Sequence, residues 1–351
     1  MTARMRAAVL YGREDVRVEE VPVPAIEDGE ILLRTRVALT CGTDVKVFRR
    51  GYHARMIRPP AVFGHEVAGV VETVGAGVSG LAPGTPVVVA NSAPCGACRY
   101  CRAGSESLCD DLLFWNGAYA EFARIPARIV RHNVLTLEDG VGFRRAAMVE
   151  PLACVVRGID ESGVREGQTV AILGAGPIGL MLVRLAALRG AHVVAVGRNE
   201  GRLARARELG ASETISARPD EDLGARLQRL GPDGLGPDVV IEAVGLGETA
   251  DAALRGVRKG GLVNLFAGCP ADTSLSLDAQ RLHYQELTIK STFHHTPQSI
   301  RKAFSLIRDG AVDPLAFITG EIPLDGLPEE LRRLAAGGAG LKTAVLTWGS
   351  E

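Results

Sequence analysis

The run Val170-Ala-Ile-Leu-Gly-Ala-Gly-Pro-Ile-Gly179 constrains the fold more than any other part of this sequence. Gly174, Gly176 and Gly179 keep the GxGxxG spacing between an apolar run at 170–173, read as a buried strand, and a segment of helical content at 178–189. The first glycine allows a tight turn and the second lets backbone approach a pyrophosphate. The third permits close helix–strand packing, while the following helix aims its first N–H groups at the phosphates. Three glycines alone describe many turns. Preceded by a strand, opening a helix and followed by a second strand at 191–196, they have the context a dinucleotide site requires, with Pro177 and Ile178 inside the same loop.

The same alternation continues. A helix at 200–209 is closed by Gly210, a strand follows at 239–243, a helix at 248–257 and a strand at 262–267. Such alternation predicts a parallel sheet with helices on both faces. Residues before about 153 differ: short apolar runs at 31–39, 67–74 and 86–90, broken by Gly and Pro, favour a twisted, mainly antiparallel β domain. After about 290 come an amphipathic helix carrying Ile300, Ala303, Phe304 and Ile307, ended by Gly310, and a last strand at 343–348. The expected division is therefore an α/β chain with one domain at 1–153 and 292–351 and a doubly wound nucleotide domain at 154–291. A chain of 351 residues exceeds what one core usually organises.

Forty Lys and Arg against 41 Asp and Glu give no electrostatic reason to expect nucleic acid as a partner. Arg4, Arg6 and Arg13 leave no room for a signal-peptide core, and the uncharged stretch 170–183 is too short to span a bilayer. A soluble, cytoplasmic protein acting on a small molecule is expected. Of seven cysteines, four crowd together and three stand alone (Cys41, Cys154, Cys269), which points away from a disulfide framework and towards metal thiolates.

Cys95-x2-Cys98-x2-Cys101-x7-Cys109 can place four thiolates around one tetrahedral ion at ~2.3 Å, with Gly96 and Gly104 supplying flexible turns. Four protein ligands leave no open position, so this site is expected to be structural. A nucleic-acid-binding zinc ribbon has similar spacing, but the charge balance and the larger domain around the cluster argue against it.

Further potential ligands are scattered: Cys41 in Leu39-Thr-Cys-Gly-Thr-Asp44, His65 and Glu66 in Phe63-Gly-His-Glu-Val67, and Glu150 in Met148-Val-Glu-Pro-Leu152. Taken singly, each reads as a buried thiol, a core histidine or a solvated carboxylate. In order along nearly the whole chain, with the cysteine lobe and Gly-Ala-Gly-Pro-Ile-Gly, they resemble the zinc-dependent medium-chain dehydrogenase/reductase superfamily, in its sorbitol and threonine dehydrogenase branch. The resemblance implies a GroES-like catalytic domain beside a Rossmann domain, and a hydride moved between a secondary alcohol and a nicotinamide cofactor.

It assigns Cys41 and His65 as catalytic zinc ligands, with Glu66 or Glu150 as the third. Neighbours on a regular strand face opposite ways, so His65 and Glu66 can both bind only where the backbone bends. Thr43 matches the hydroxyl that relays the substrate proton, and zinc would make that proton easier to remove. Two zinc ions are thus implied, one catalytic and one structural. The relatives are dimers or tetramers, and a homo-oligomer, preferably a tetramer, is expected, joined through the strand at 262–267.

Cofactor choice is read at the end of the second strand of the nucleotide domain. An acidic residue there would bind ribose hydroxyls, whereas this chain has Gly197 followed by Arg198 and, further on, Arg202. Glycine leaves space and the arginines offer donors to a 2′-phosphate, so NADP(H) is favoured over NAD(H). Val244 and Lys342 complete the expected cofactor contacts.

Two departures bear on substrate. Lys46 stands where sorbitol dehydrogenases often have histidine, and their Phe-Arg-Tyr segment appears as Phe293-His294-His295. Two other functions share the fold: a zinc-free quinone or enone reductase, which generally lacks the Cys41 and His65 ligand set, and a non-catalytic NADPH-binding protein, which would not need Thr43.

Overall fold

The structure is a computed structural model that describes residues 3–348. The chain forms two compact units, Met1–Ala153 with His295–Glu351, and Cys154–His294. No helix among the described residues is long and apolar enough to cross a membrane.

The first unit is built on a mostly antiparallel sheet. Its strands run in the order Val134–Thr136, Pro86–Val89, Glu66–Val74, Ile31–Leu39, Lys342–Leu346 and Ile318–Pro323, and Phe122–Ile125 also pairs with Ile31–Leu39. Only the last two strands of that order, Lys342–Leu346 and Ile318–Pro323, run parallel. Along Ile31–Leu39 buried and half-buried residues alternate before a fully buried end, as in a strand with one face on a core. That core gathers Leu10, Ile31, Leu33, Phe63, Val67, Tyr119 and Ile125. A smaller sheet, which the sequence pattern did not reveal, pairs Arg4–Gly12 with Asp15–Pro22 and with Ala61–Val62.

Register in the large sheet decides where chemistry can occur. Leu39 lies opposite Glu66 on one side and Ala344 on the other. The residues just beyond Leu39, including Cys41, therefore leave the sheet between the start of strand Glu66–Val74 and the start of strand Lys342–Leu346.

The second unit is a six-stranded parallel sheet in the order Glu213–Ser216, His192–Gly197, Thr169–Leu173, Val239–Glu242, Leu262–Leu265, Thr288–Ser291. In chain order this is 3-2-1-4-5-6, the doubly wound arrangement whose ligand crevice opens at the carboxyl ends of the strands. Every residue of Thr169–Leu173 is buried, as expected of a central parallel strand covered on both faces. Leu262–Leu265 is correspondingly interior: it is bonded on one side to Val239–Glu242 and on the other to Thr288–Ser291. The expectation that it forms the edge joining two copies is thereby corrected. The edge strand on this side is Thr288–Ser291, too polar for its sequence to suggest, and Glu213–Ser216 forms the opposite edge.

Candidate active site

Cys41 caps the helix Gly42–Arg50. Its Sγ accepts from the Thr43 N–H at 3.5 Å, and its own N–H donates to Asp44 Oδ2 at 2.9 Å, which closes a capping box. The cap fixes where the thiol sits relative to the sheet.

Gly64, with φ of +92°, turns the chain so that His65 precedes strand Glu66–Val74 rather than forming part of it. This is the bend that lets neighbours face one place. A Cβ at Gly64 would lie 2.6 Å from the Tyr119 ring, so no larger residue fits the turn. Ligand atoms of Cys41, His65 and Glu66 then lie within 4.8 Å of one another.

His65 Nδ1 is 3.1 Å from Asp44 Oδ1, and both side chains are buried. The pair meets as a charge contact outside hydrogen-bond geometry, and a carboxylate on the Nδ1 side favours a ring that offers Nε2 to a metal. Burial works against a charged imidazole, but Asp44 and then Cys41 more than reverse this and raise the His65 pKa well above the usual value. Tyr119, fully buried, places its hydroxyl 2.6 Å from Asp44 Oδ2 and 2.9 Å from the Leu39 carbonyl oxygen. Asp44 and Tyr119 belong to the site although the sequence reading did not assign them. The signal for Asp44 was its place three residues after a helix-capping cysteine.

Lys342 has a different partner from the one expected of it. Its Nζ lies 2.6 Å from each Glu66 oxygen and 3.0 Å from the Thr40 carbonyl oxygen, with Lys342 3% exposed and Glu66 0%. Three acceptors use all three ammonium protons, so no donor is left for a cofactor. Burial opposes the charge, but Glu66 and Cys41 outweigh it and raise the Lys342 pKa.

Glu150 sits in the first turn of the helix Val149–Glu161, an element absent from the sequence reading. Burial pushes its carboxyl up to about 7. Glu150 lies outside the cluster of Cys41, His65 and Glu66, and its Oε1 is 3.7 Å from His295 Nε2. His295 is buried, with Nε2 3.0 Å from Asn91 Oδ1. His294 adopts φ of +64°.

The four cysteines of the lobe converge as their spacing predicts. Sγ–Sγ distances are 3.5 Å for Cys98–Cys101 and 4.0 Å for Cys95–Cys101. They bracket the ~3.8 Å separation of thiolates on a tetrahedral ion with ~2.3 Å bonds. Backbone N–H groups of Cys95, Ala97, Cys98 and Cys101 point at sulfurs of the cluster at 3.2–3.5 Å. The bond from Cys101 N–H is the main reason the Cys98 thiol falls to about 6. Burial acts the other way on two of the four, pushing the Cys101 thiol up to about 12 and raising Cys109, so it is the sulfur spacing and the ring of N–H donors that fit a zinc ion.

In the second unit, a Cβ on Gly179 would lie 1.7 Å from the Gly174 carbonyl oxygen, which makes this close helix–strand approach glycine-only. Gly174 has φ of +110°. At Gly176, the cap of the helix Pro177–Leu188, a Cβ would meet nothing within 4 Å. A tightly packed loop with open space at its middle glycine fits a pyrophosphate at a helix N-terminus. Gly197 ends strand His192–Gly197, where a Cβ would lie 2.8 Å from Ala175 Cβ. This glycine therefore also has a packing reason, which the sequence reading did not include. Arg198 is exposed and makes no ion pair among the described residues, while Arg202 lies in the first turn of the helix Glu200–Glu208.

Residues 27–134 match the alcohol dehydrogenase GroES-like domain and residues 177–309 the zinc-binding dehydrogenase family. The chain is 34% identical over 346 residues to a sorbitol dehydrogenase of Bombyx mori, covering 97% of each protein. It is 32% identical to an L-threonine 3-dehydrogenase of Bacillus velezensis, over 88% of this chain and 89% of that one. A zinc-binding dehydrogenase from Sinorhizobium meliloti 1021, solved bound to NADP, superposes with a TM-score of 0.89 at 29% identity, covering 99% of this chain and 100% of that one. The ordered motifs, the two folds and these relatives agree: the chain belongs to the zinc-dependent medium-chain dehydrogenase/reductase superfamily, in its sorbitol and threonine dehydrogenase branch, and is a nicotinamide-dependent oxidoreductase acting on alcohol groups.

Proposed function

We propose that this enzyme interconverts a secondary alcohol, of the polyol or amino-alcohol kind, and its ketone, with NADP(H) preferred. The observation that carries the reading is the convergence of Cys41, His65 and Glu66, with Asp44 orienting the histidine. A thiol, an imidazole and a carboxylate form the three-ligand set of a catalytic zinc site that keeps one position open. Between the two candidate acids, Glu66 is favoured as the third ligand, since Glu150 lies outside that cluster.

A zinc ion there supplies Lewis acidity, which eases removal of the alcohol proton near neutral pH. The chain's own residues do the rest. Asp44 holds His65, and Tyr119 holds Asp44, so the donor set is fixed before substrate arrives. Thr43, at the start of the capped helix, is the hydroxyl that takes the proton onward. Val244 and the Gly174–Gly179 loop hold the dinucleotide, and Arg198 with Arg202 reads its 2′-phosphate. The four-cysteine lobe holds a second, structural zinc. Seven free thiols suit a reducing interior such as the cytoplasm.

The test is NAD(P)H absorbance with a panel of polyols, sugars, amino alcohols and simple secondary alcohols, before and after chelation. Turnover lost on chelation and restored by zinc supports the reading. Metal-independent reduction of enones without alcohol oxidation would replace it with the reductase alternative.

A further inference from the structure

Glu242 is a buried carboxylate with no part in the chemistry above. It ends strand Val239–Glu242, is 0% exposed and has no cationic partner among the described residues. Its Oε1 instead accepts from the Val244 N–H at 2.8 Å and the Gly245 N–H at 2.9 Å, and the Gly245 N–H also lies 3.2 Å from Oε2. The Thr249 hydroxyl, in the first turn of helix Gly247–Gly256, is 2.8 Å from the same Oε1. Burying a carboxylate without a counter-ion is costly, and these donors are what offsets the cost.

The loop so held stands at the carboxyl ends of the strands. It follows the fourth strand, next to the first strand with its Gly174 turn, where the strand order reverses and ligands bind in doubly wound sheets. A Cβ at Gly174 would lie 3.0 Å from Val244 Cγ2, so Val244 abuts the first glycine of the dinucleotide loop while remaining 38% exposed. Behind it, Gly245 has φ of +83°, and a Cβ there would lie 2.7 Å from the Gly268 carbonyl oxygen. The loop cannot retreat, and its N–H groups are turned inward to Glu242.

We infer that Glu242 is a positioning residue for the dinucleotide, fixing the Val244–Gly245 backbone so that the Val244 side chain walls the cofactor crevice beside Gly174. The inference rests on the reading of this unit as a dinucleotide site. A residue that merely capped helix Gly247–Gly256, whose N-cap Leu246 has no side-chain bond, would matter to stability but not to affinity in the folded protein.

The experiment measures NADPH and NADH dissociation constants by fluorescence on zinc-loaded enzyme, well below the melting temperature. The variants are Glu242→Gln, Thr249→Val, Val244→Gly and the Glu242→Gln/Val244→Gly pair. Glu242→Gln is expected to weaken dinucleotide binding about tenfold or more, with alcohol KM and zinc content unchanged. Thr249→Val, which keeps both loop N–H contacts, should weaken it less than about threefold. In the Val244→Gly background the Glu242→Gln effect should disappear, because both act through one wall. A folded Glu242→Gln enzyme with wild-type affinity, or effects of 242 and 244 that simply add, overturns the inference. If Glu242→Gln does not fold, wild-type affinity in Val244→Gly overturns it instead. A wild-type enzyme that binds neither NADPH nor NADH removes the dinucleotide reading itself.

Discussion

Lys342 holds both oxygens of Glu66 at 2.6 Å inside a site where both residues are buried. The pair lies beside Cys41 because strand Lys342–Leu346 and strand Glu66–Val74 flank the end of Ile31–Leu39. Lys342 thus balances a carboxylate that is also a candidate metal ligand, and Glu66 has two rival cations available. Removing the lysine should leave a buried charge uncompensated. Lys342→Met is expected to lower stability by about 3–5 kcal/mol in the metal-free protein. Adding Glu66→Gln should restore much of that loss. Denaturant unfolding of the single and double variants checks this, and a single variant as stable as wild type would show that the pair does not hold the site together.

The two metal sites should fail differently. Cys41→Ser disturbs an open site whose surroundings are held by Asp44, Tyr119 and the sheet, so turnover should vanish while the melting temperature stays near wild type. Cys98→Ser breaks a closed lobe whose metal binding is coupled to local folding, so it should lose one zinc and melt earlier. Zinc content, melting curves and kcat on the two variants separate these outcomes. Full activity in Cys41→Ser would end its assignment as a ligand.

Much of this was legible before any coordinates. The glycine loop, the alternating strands and helices around it and the cysteine lobe are local patterns, since each depends on residues close in sequence. What was not legible depends on distant neighbours. Lys342 and Glu66 are 276 residues apart, and nothing near either announces the other. The resemblance puts the strand at 262–267 at the joining edge, and an apolar run cannot reveal its own neighbours; the polar Thr288–Ser291 that pairs with it has no strand-like pattern. Helix Val149–Glu161 is not announced by its sequence, because Glu-Pro-Leu in its first turn resembles a break more than a beginning. Proline in a first turn is instead compatible with a helix beginning there.

Acid should expose the contribution of Glu330. Arg333 is the main cause of its depressed pKa, with Nη2 2.7 Å and Nε 2.6 Å from its two oxygens, and Thr343 Oγ1 adds a bond at 2.5 Å. A carboxylate whose folded pKa lies below its unfolded value, ~4.3, stabilises the fold above that unfolded value. The contribution is lost as pH falls through the folded pKa. Glu330→Gln should therefore be less stable than wild type at pH 7, with the difference shrinking below about pH 4. Unfolding curves across that range test it, and a difference independent of pH would mean the glutamate acts by packing alone.

The edge at Thr288–Ser291, one of the two that this sheet has, gives the oligomer prediction a location. An unpaired parallel edge invites pairing unless it is covered or blunted. A homo-oligomer is expected, with a tetramer preferred, and Ile289→Pro, which removes a backbone donor, should shift it towards smaller species. Sedimentation at micromolar concentration distinguishes these, and a monomeric wild type would refute the expectation.

Cofactor choice is the sharpest test, and Gly197 changes how it must be done. Exchanging that glycine for aspartate would add a carboxylate to repel a 2′-phosphate. It would also place a Cβ 2.8 Å from Ala175 Cβ and 3.3 Å from Leu203 Cδ2. Ala175 lies inside the dinucleotide loop, so a loss of NADP affinity in Gly197→Asp would mix charge with loop displacement. Arg198 is free of this difficulty, being exposed and without an ion pair among the described residues. One well-aligned charge-assisted bond to a phosphate contributes about 1.5–3 kcal/mol, which is roughly ten- to hundredfold in affinity. Arg198→Leu should therefore weaken NADP binding by that factor and leave NAD binding and zinc content unchanged. Arg202→Leu in the same background should weaken NADP further if both arginines reach the phosphate. The wild type is measured first, with both cofactors at one alcohol concentration. A higher kcat/KM with NAD than with NADP, or an Arg198→Leu enzyme that loses both cofactors equally, would show that Arg198 is a solvated surface charge and that Gly197 is kept for its fit against Ala175.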